Sequence, residues 1–291
     1  MTLGKNTISG IFGKKNTDKN KIKMKILVFG SSGMLGRYVS KYLTQENFEV
    51  VNVGRNQVDA SETSKGGLHQ FISNHTQPGD VIINCMGTIK PRVDELGDEN
   101  AIRVNSLFPR MLANLCQQHQ VKLIHPTTDC VYTGEKGKYD ENDPYDVGDV
   151  YGMSKALGEP KNCTVIRTSI IGEEVGQGRS LVEWIKSNKG GEINGFEDHL
   201  WNGVTCLQFA KICQEIITED LFWEGIKHVH SNIVNKYELL NIVNDAYDLG
   251  IKINQVKSAK SIDRSISSIY DLPLSIPSLQ TQIKEMSEFP L

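Results

Sequence analysis

No stretch of this sequence holds the ~18 consecutive apolar residues that a membrane-spanning helix requires. Nor is positive charge in excess: 32 Lys and Arg face 35 Asp and Glu, a net −3, so no global basic face argues for nucleic acid. The six cysteines, Cys85, Cys116, Cys130, Cys163, Cys206 and Cys213, show no C-x-x-C spacing, and most fall inside apolar patterns. They read as free thiols in a reducing compartment, which makes a cytoplasmic location the expectation. The histidines form no ligand cluster, so no metal is expected. What remains is enough chain, 291 residues, to bury a large core as one domain or as two closely joined ones.

Residues 1–23 differ from the rest. Lys5, Lys14, Lys15, Lys19, Lys21 and Lys23 face a single acid, Asp18, and no secretory h-region is present. The composition predicts a disordered basic extension, with a targeting segment or polyanion-binding arm as the alternative. Met24 directly precedes the first strand, so the fold is expected to begin there.

From Lys25 onward, short apolar runs alternate with amphipathic segments. Lys25–Phe29 reads as a buried strand, and Arg37–Gln45 as a helix with Tyr38, Val39 and Leu43 inward. Strands follow at 48–53, 80–86, 122–131 and 163–171, separated by helices at 68–75, 100–118 and from Tyr151 to Pro160. In the long helix, Ile102, Leu107, Met111 and Leu115 are expected to share one inward face. Such alternation predicts an α/β fold with a doubly wound parallel sheet of Rossmann type. After about residue 172 the pattern loosens. Helices are expected at 180–188, 207–217 and 236–247 and a strand at 227–230, while 192–204 reads as loop. The predicted organisation is a nucleotide-binding region with the catalytic residues over 24–171 and a smaller, mainly substrate-binding region over 172–291. One or two elements of the second region are expected to return to the sheet.

Gly30-Ser31-Ser32-Gly33-Met34-Leu35-Gly36 lies between the first strand and its helix. Three glycines at that spacing allow a tight turn, close approach of a pyrophosphate, and close helix–sheet packing. The helix N-terminus then faces the phosphates. An acid at the end of the second strand would select NADH through the ribose 2′-hydroxyl. Here the chain reads Val53-Gly54-Arg55, which favours NADPH with Arg55 on the 2′-phosphate and NADH as the alternative. Asp59 is a candidate for either an adenine contact or a helix cap.

Tyr151-Gly152-Met153-Ser154-Lys155 places a phenol and an amine one helical turn apart, facing the same way. A phenol ionises near pH ~10, and a neighbouring ammonium lowers that value. The pair therefore suits proton donation to an oxygen that is becoming an alkoxide.

These residues resemble the extended short-chain dehydrogenase/reductases and, within them, the dTDP-4-dehydrorhamnose reductase family. The matching pieces are the glycine loop, Ile83-Asn84, Val104-Asn105, Thr127 to Gly134 (TTDCVYTG), Tyr139-Asp140-Glu141, Tyr151 to Lys155, Leu157-Gly158-Glu159, and Ile166 to Ser169 (IRTS). Weaker matches occur at Lys236 to Leu240 and Ile262 to Ser265. The resemblance implies reduction of the C4 ketone of a nucleotide-linked 4-keto-6-deoxyhexose. It makes Tyr151 the proton donor, has Lys155 lower the Tyr151 pKa and hold the nicotinamide ribose, and puts Thr128 on the ketone oxygen. Asn105 supports Lys155, and Cys85, Met86 and Gly87 join the cofactor wall. Thr88, Asp129, Cys130, Arg179, Trp201 and Arg264 are implied on the substrate side, with Arg179 and Arg264 as partners of the diphosphate. A homodimer is one assembly this reading allows.

Two departures stand out. Asn84-Cys85-Met86-Gly87-Thr88 replaces the family's Asn-Ala-Ala-Ala-Tyr-Thr, and Cys130 stands where many relatives carry Tyr. A Cys there resembles epimerase-reductases, with Lys186, Lys189 or His199 as partner candidates; a small packing residue is the alternative. The pieces from Arg167 to Thr205 resemble a subgroup that makes UDP-N-acetyl-L-rhamnosamine. A non-catalytic NADP-binding regulatory subunit resembles the same family.

Overall fold

The computed structural model describes residues 24–176 and 180–291; the basic extension 1–23 lies outside them. The strands β1 (Lys25–Phe29), β2 (Glu49–Val53), β3 (Val81–Asn84), β4 (Lys122–Thr127) and β5 (Thr164–Arg167) join Gly225–His228 in one parallel sheet. Its order is Gly225–His228, β5, β4, β3, β1, β2. Parallel strands covered on both faces become continuous apolar runs. In β1, Ile26, Leu27, Val28 and Phe29 are all fully buried. Each such side chain contributes about 1.5–3 kcal/mol relative to exposure. The chain leaves β1 to one side for β2 and later returns to the other side for β3. That reversal opens a crevice beyond the carboxyl ends of β1 and β3, where a doubly wound sheet takes its ligand.

Helices cover both faces: α1 (Met34–Gln45), α2 (Lys65–His75), α3 (Lys90–Leu96), α4 (Asp98–Ala101), α5 (Phe108–Gln118) and α6 (Val150–Leu157). Between α4 and α5 the backbone forms a π-helix over Ile102–Leu107. This corrects the expected long regular helix. The wider turn shifts the phase of the side chains, so Ile102 and Leu107 are 43% and 58% exposed, while Asn105 and Ser106 turn inward. Phe108, Leu112, Leu115 and Cys116 supply the buried face of α5.

The second half also departs from expectation. The strand beginning near Cys163 leaves the main sheet after Arg167, and Ile170–Ile171 pairs instead with Val204–Thr205. Residues 192–204 hold strands rather than loop. Glu192–Phe196 pairs with Lys252–Val256, and His199–Trp201 lies between Val234–Asn235 and Ile262–Asp263. The helix Cys206–Thr218 packs on α1, and its Phe209, Ala210, Ile212 and Ile216 share one core with Ile26, Val28 and Ile83 of the sheet. Among the described residues no helix is long and apolar enough to cross a membrane.

Candidate functional site

The glycine loop follows β1 directly. Gly30 has φ +74°, a conformation L side chains rarely adopt, and its N–H donates to Val53 O at 2.9 Å. A Cβ on Gly36 would lie 2.2 Å from Gly30 O, so only glycine lets α1 start this close to the turn. Gly33 caps α1 without a side-chain hydrogen bond, which leaves the helix's first amides for an anion. Arg37 Nε donates to Ser32 O at 2.7 Å and pins the loop from outside. Ser31 and Ser32 lie at the surface end of this turn; Leu35 packs into the core, and Met34 lines a neighbouring cavity.

The segment after β3 forms the adjoining wall. Cys85 N–H donates to Phe29 O at 2.9 Å, and a Cβ on Gly30 would meet the Cys85 carbonyl and Met86 Cγ, each at 3.1 Å. Burial raises the Cys85 thiol pKa, so it is a packing group. Arg55 and Asp59 lie past β2 as an ion pair at 3.8 Å, with the Arg55 side chain 79% exposed. Asp59 accepts from Ser61 N at 2.9 Å and Ser61 Oγ at 2.6 Å, while Ser64 is the residue that caps α2.

The π-helix explains how Asn105 reaches the site. Its Oδ1 accepts from Thr88 N and its Nδ2 donates to Thr88 O, both at 2.9 Å. Nδ2 also donates to Ser154 Oγ at 3.1 Å, and Ser106 Oγ donates to Ser154 O at 2.6 Å. Asn105 thus ties the loop after β3 to α6. Gly158 ends α6 against the same segment; a Cβ there would fall 1.7 Å from Asn105 O. At its other end α6 is capped by Asp149, which accepts from Gly152 N at 2.8 Å and pairs with Lys90 at 2.7 Å.

On this held helix, Tyr151 and Lys155 face the crevice wall. A Cβ on Gly87 would sit 3.7 Å from Lys155 Nζ and 3.6 Å from Asn105 Oδ1, so the amine lies beside the loop that Asn105 holds. Burial depresses the Lys155 pKa to about 8, opposed by Glu159 and then Cys130. Burial raises the Tyr151 pKa, Cys130 adds to the rise, and Thr128 opposes it. With the Asp129 charge acting in the same sense, the phenol is loaded with its proton at neutral pH. The expected lowering by Lys155 does not dominate here.

Thr128 begins the turn after β4. Its Oγ1 accepts from Cys130 N at 3.1 Å and donates to Asp129 Oδ1 at 3.2 Å. Asp129 is buried, and burial raises its pKa against the pull of Arg264, Ser169, Thr128 and Lys236. Burial and the Asp129 charge push the Cys130 thiol up to about 12, so it is a thiol rather than a thiolate at neutral pH. Arg264 Nε is buried with no hydrogen-bond partner among the described residues. Trp201 is buried in the second-half core and also lines the cavity beside Met34. Arg179 lies outside the described residues.

The motif reading missed two groups. His125, in β4, is buried beside Asn84 at 3.2 Å, and burial and the Lys155 charge lower its pKa, so it stays neutral. Its signal was a polar residue inside the apolar strand Lys122–Thr127. Lys236 is the second: its ammonium lies 5.8 Å from the centre of the Trp201 ring, and it lines the cavity beside Met34. Of the three partner candidates proposed for Cys130, Lys186 pairs with Glu173 at 2.6 Å, and His199 stacks on Phe196 at 4.6 Å. Lys189 donates its backbone N–H to Lys186 O at 3.2 Å.

Comparison with known proteins gives the same picture at family level. The family model described as RmlD substrate binding domain matches residues 24–266. A dTDP-4-dehydrorhamnose reductase of Mycolicibacterium smegmatis is 31% identical over 141 residues, 46% of this chain and 40% of that protein. Its counterpart in Streptomyces griseus is 35% identical over 136 residues, 46% of this chain and 43% of the other. The chain thus spans about half the length of the curated relatives it matches. Among solved structures, a dTDP-4-dehydrorhamnose reductase of Clostridium acetobutylicum superposes with a TM-score of 0.75 at 20% identity, covering 91% of this chain and 99% of that one. One from Bacillus anthracis, in complex with NADP, also gives 0.75 at 20% identity, covering 92% and 98%. Since the match to the family model runs from the residue before β1 through the strand Ile262–Asp263 and Arg264, this chain belongs to the RmlD substrate binding domain family.

Proposed function

We propose that this protein is an NAD(P)H-dependent oxidoreductase that reduces the C4 ketone of a nucleotide-linked 4-keto-6-deoxyhexose, giving an L-rhamnose-type nucleotide sugar. The observation that carries the reading is the packing of the Thr128 turn against the start of α6, where a Cβ on Gly152 would fall 2.4 Å from Cys130 O; this brings Thr128 to the helix of Tyr151 and Lys155, beside a glycine loop that a Cβ would fill. That cradle fits a dinucleotide: the free amides at the start of α1 hold its pyrophosphate, and Arg55, exposed past β2, meets a 2′-phosphate, which favours NADPH. When bound, NADPH supplies the hydride.

Tyr151 gives its proton to the C4 oxygen as that oxygen gains charge, and its raised pKa keeps the proton in place until then. Thr128 holds the same oxygen through its hydroxyl. Lys155 adds positive charge one helical turn from Tyr151, and Asn105 fixes the loop after β3 through Thr88. In this reading residues 24–171 hold the cofactor and the acid, while 172–291 mainly grip the sugar nucleotide. The names of the relatives support a dTDP-linked sugar; a UDP-linked or 2-acetamido sugar is the variant to test beside it. A protonated Cys130 argues against epimerisation, so no solvent deuterium is expected to enter the sugar without NADPH. Pairing with a second copy is supported by exposed Ile89, Leu96, Ile102, Leu107, Met153 and Leu157 on neighbouring elements, and sedimentation tests it.

The test is incubation with NADPH and a panel of dTDP- and UDP-4-keto-6-deoxy sugars, read by the loss of reduced-nicotinamide absorbance. Tyr151→Phe is expected to cut turnover by ~10²–10⁴. Consumption of NADPH by none of the sugars refutes the reading.

A further inference from the structure

Strands β3 and β4 run side by side as far as Ile83 and Ile124. The next residue on each is polar, Asn84 and His125. Alternation along a strand puts both on the face that carries Ile82 and Leu123. Neither is open to water: Asn84 is 0% and His125 2% exposed. Burying polar groups is costly unless their hydrogen bonds are made, and apolar residues would fill the same place without that cost. Asn84 uses its amide in two directions. Nδ2 donates to His125 Nδ1 at 3.2 Å, and Oδ1 accepts from Met86 N at 3.2 Å. An amide nitrogen cannot accept, so His125 Nδ1 is the acceptor and the proton of the neutral ring sits on Nε2.

The segment that Asn84 holds, Cys85-Met86-Gly87, runs between two parts of the site. On one side it meets the glycine loop, where a Cβ on Gly30 would touch the Cys85 carbonyl and Met86 Cγ, each at 3.1 Å. On the other, a Cβ on Gly87 would lie 3.7 Å from Lys155 Nζ. The far end of the segment is fixed at Thr88, whose N–H and C=O both bond to Asn105. Two carboxamides thus grip the segment, Asn105 beyond it and Asn84 beneath Met86. Asn105 is itself oriented from α6 by its bond to Ser154 Oγ. For Asn84 the orienting partner is His125. Turned over, the Asn84 amide would set its NH2 against the Met86 N–H, donor against donor.

We propose that His125 is a positioning residue for the cofactor: by accepting from Asn84 Nδ2 it turns Asn84 Oδ1 onto Met86 N–H, and so sets the place of Cys85-Met86-Gly87 between the glycine loop and Lys155. The inference rests on the NAD(P)H reading above. In it His125 touches neither cofactor nor substrate and acts through Asn84.

Fluorescence titration of the full chain with NADPH tests it without turnover. Asn and Leu are close in size, and an Asn Oδ1 falls near the place of a His Nδ1, so the two replacements differ chiefly in the acceptor. His125→Leu is expected to weaken NADPH about tenfold, and His125→Asn to recover most of that loss. Asn84→Ala cuts the same link from its other end. It is expected to weaken NADPH to a similar degree, and His125→Leu added to it to cost nothing further. Should His125→Leu not fold, His125→Asn near wild type beside a weakened Asn84→Ala carries the comparison. Calorimetric titration with dTDP, a ligand for the second half of the chain, is the control and is expected to be unchanged. Wild-type NADPH affinity in His125→Leu overturns the inference alone. So does His125→Asn as weak as the leucine variant, a double variant whose losses add, or an equal loss for dTDP. A wild type that does not bind NADPH overturns the cofactor reading, and this inference with it.

Discussion

Replacing Arg167 by Met isolates the cost of one buried charge. Arg167 and Glu159 are 1% and 3% exposed. The guanidinium grips the carboxylate with two hydrogen bonds, Nε to Oε1 at 3.0 Å and Nη2 to Oε2 at 2.7 Å. Its remaining donors go to Tyr132 Oη at 2.7 Å, Tyr145 Oη at 3.0 Å and His228 Nε2 at 2.8 Å. That last bond makes His228 a neutral acceptor, with its Nδ1 proton on Ser267 O. Arg167→Met leaves the Glu159 carboxylate buried with Tyr145 as its remaining hydrogen-bond donor, and breaking a buried pair this way costs about 3–5 kcal/mol. For a chain of this size, with ~2 °C in Tm per kcal/mol, thermal unfolding is expected to fall by about 6–10 °C. Arg167→Met with Glu159→Leu removes both charges and is expected to recover at least half of that loss, because the desolvation of two ions disappears with their attraction. Urea unfolding of wild type, single and double variants measures both steps. A single variant within about 1 kcal/mol of wild type refutes the reasoning, as does a double variant less stable than the single one.

Other outcomes follow from the site. Lys155 loses its charge as pH rises through its depressed pKa of about 8, so kcat/KM for ketone reduction is expected to decline above that pH. Because Glu159 holds the Lys155 pKa up, Glu159→Gln is expected to move this alkaline limb lower in a pH profile. Gly158→Ala forces α6 off the Asn105 backbone and is expected to cost about 1–3 kcal/mol together with turnover, whereas Gly148→Ala, with open space around it, stays within about 0.5 kcal/mol of wild type by urea unfolding. Arg55→Ala is expected to weaken NADPH about tenfold or more in a fluorescence titration, leave NADH unchanged, and leave Tm alone, since the side chain is 79% exposed.

Much of this architecture was legible because its signals are local. An apolar run, three glycines at fixed spacing and an amphipathic helix occupy 25–45 without interruption, and each element there has its determinants inside itself. Tyr151 and Lys155 were legible for the same reason, being one helical turn apart. The second half resisted because its strands find partners far along the chain. Glu192–Phe196 pairs with Lys252–Val256, and Ile170–Ile171, two residues long, pairs with Val204–Thr205. Strands that short carry no period to read. Lys236 was passed over because its contact with Trp201 joins residues far apart in the sequence. The tuning of Tyr151 was invisible for a related reason: burial, which raises its pKa, belongs to the packed molecule and not to the motif.

The π-helix at Ile102–Leu107 leaves this chain vulnerable to a change of length. A single surplus residue is what separates such a turn from an ordinary one. Deleting one position between Ala101 and Asn105 leaves Thr128, Tyr151 and Lys155 untouched in name, yet swings the Asn105 amide by about 100° around the axis. Thr88 would lose the amide that holds it on both sides, and the loop after β3 would come free of α6. Length in this stretch therefore constrains the chain as strictly as composition does.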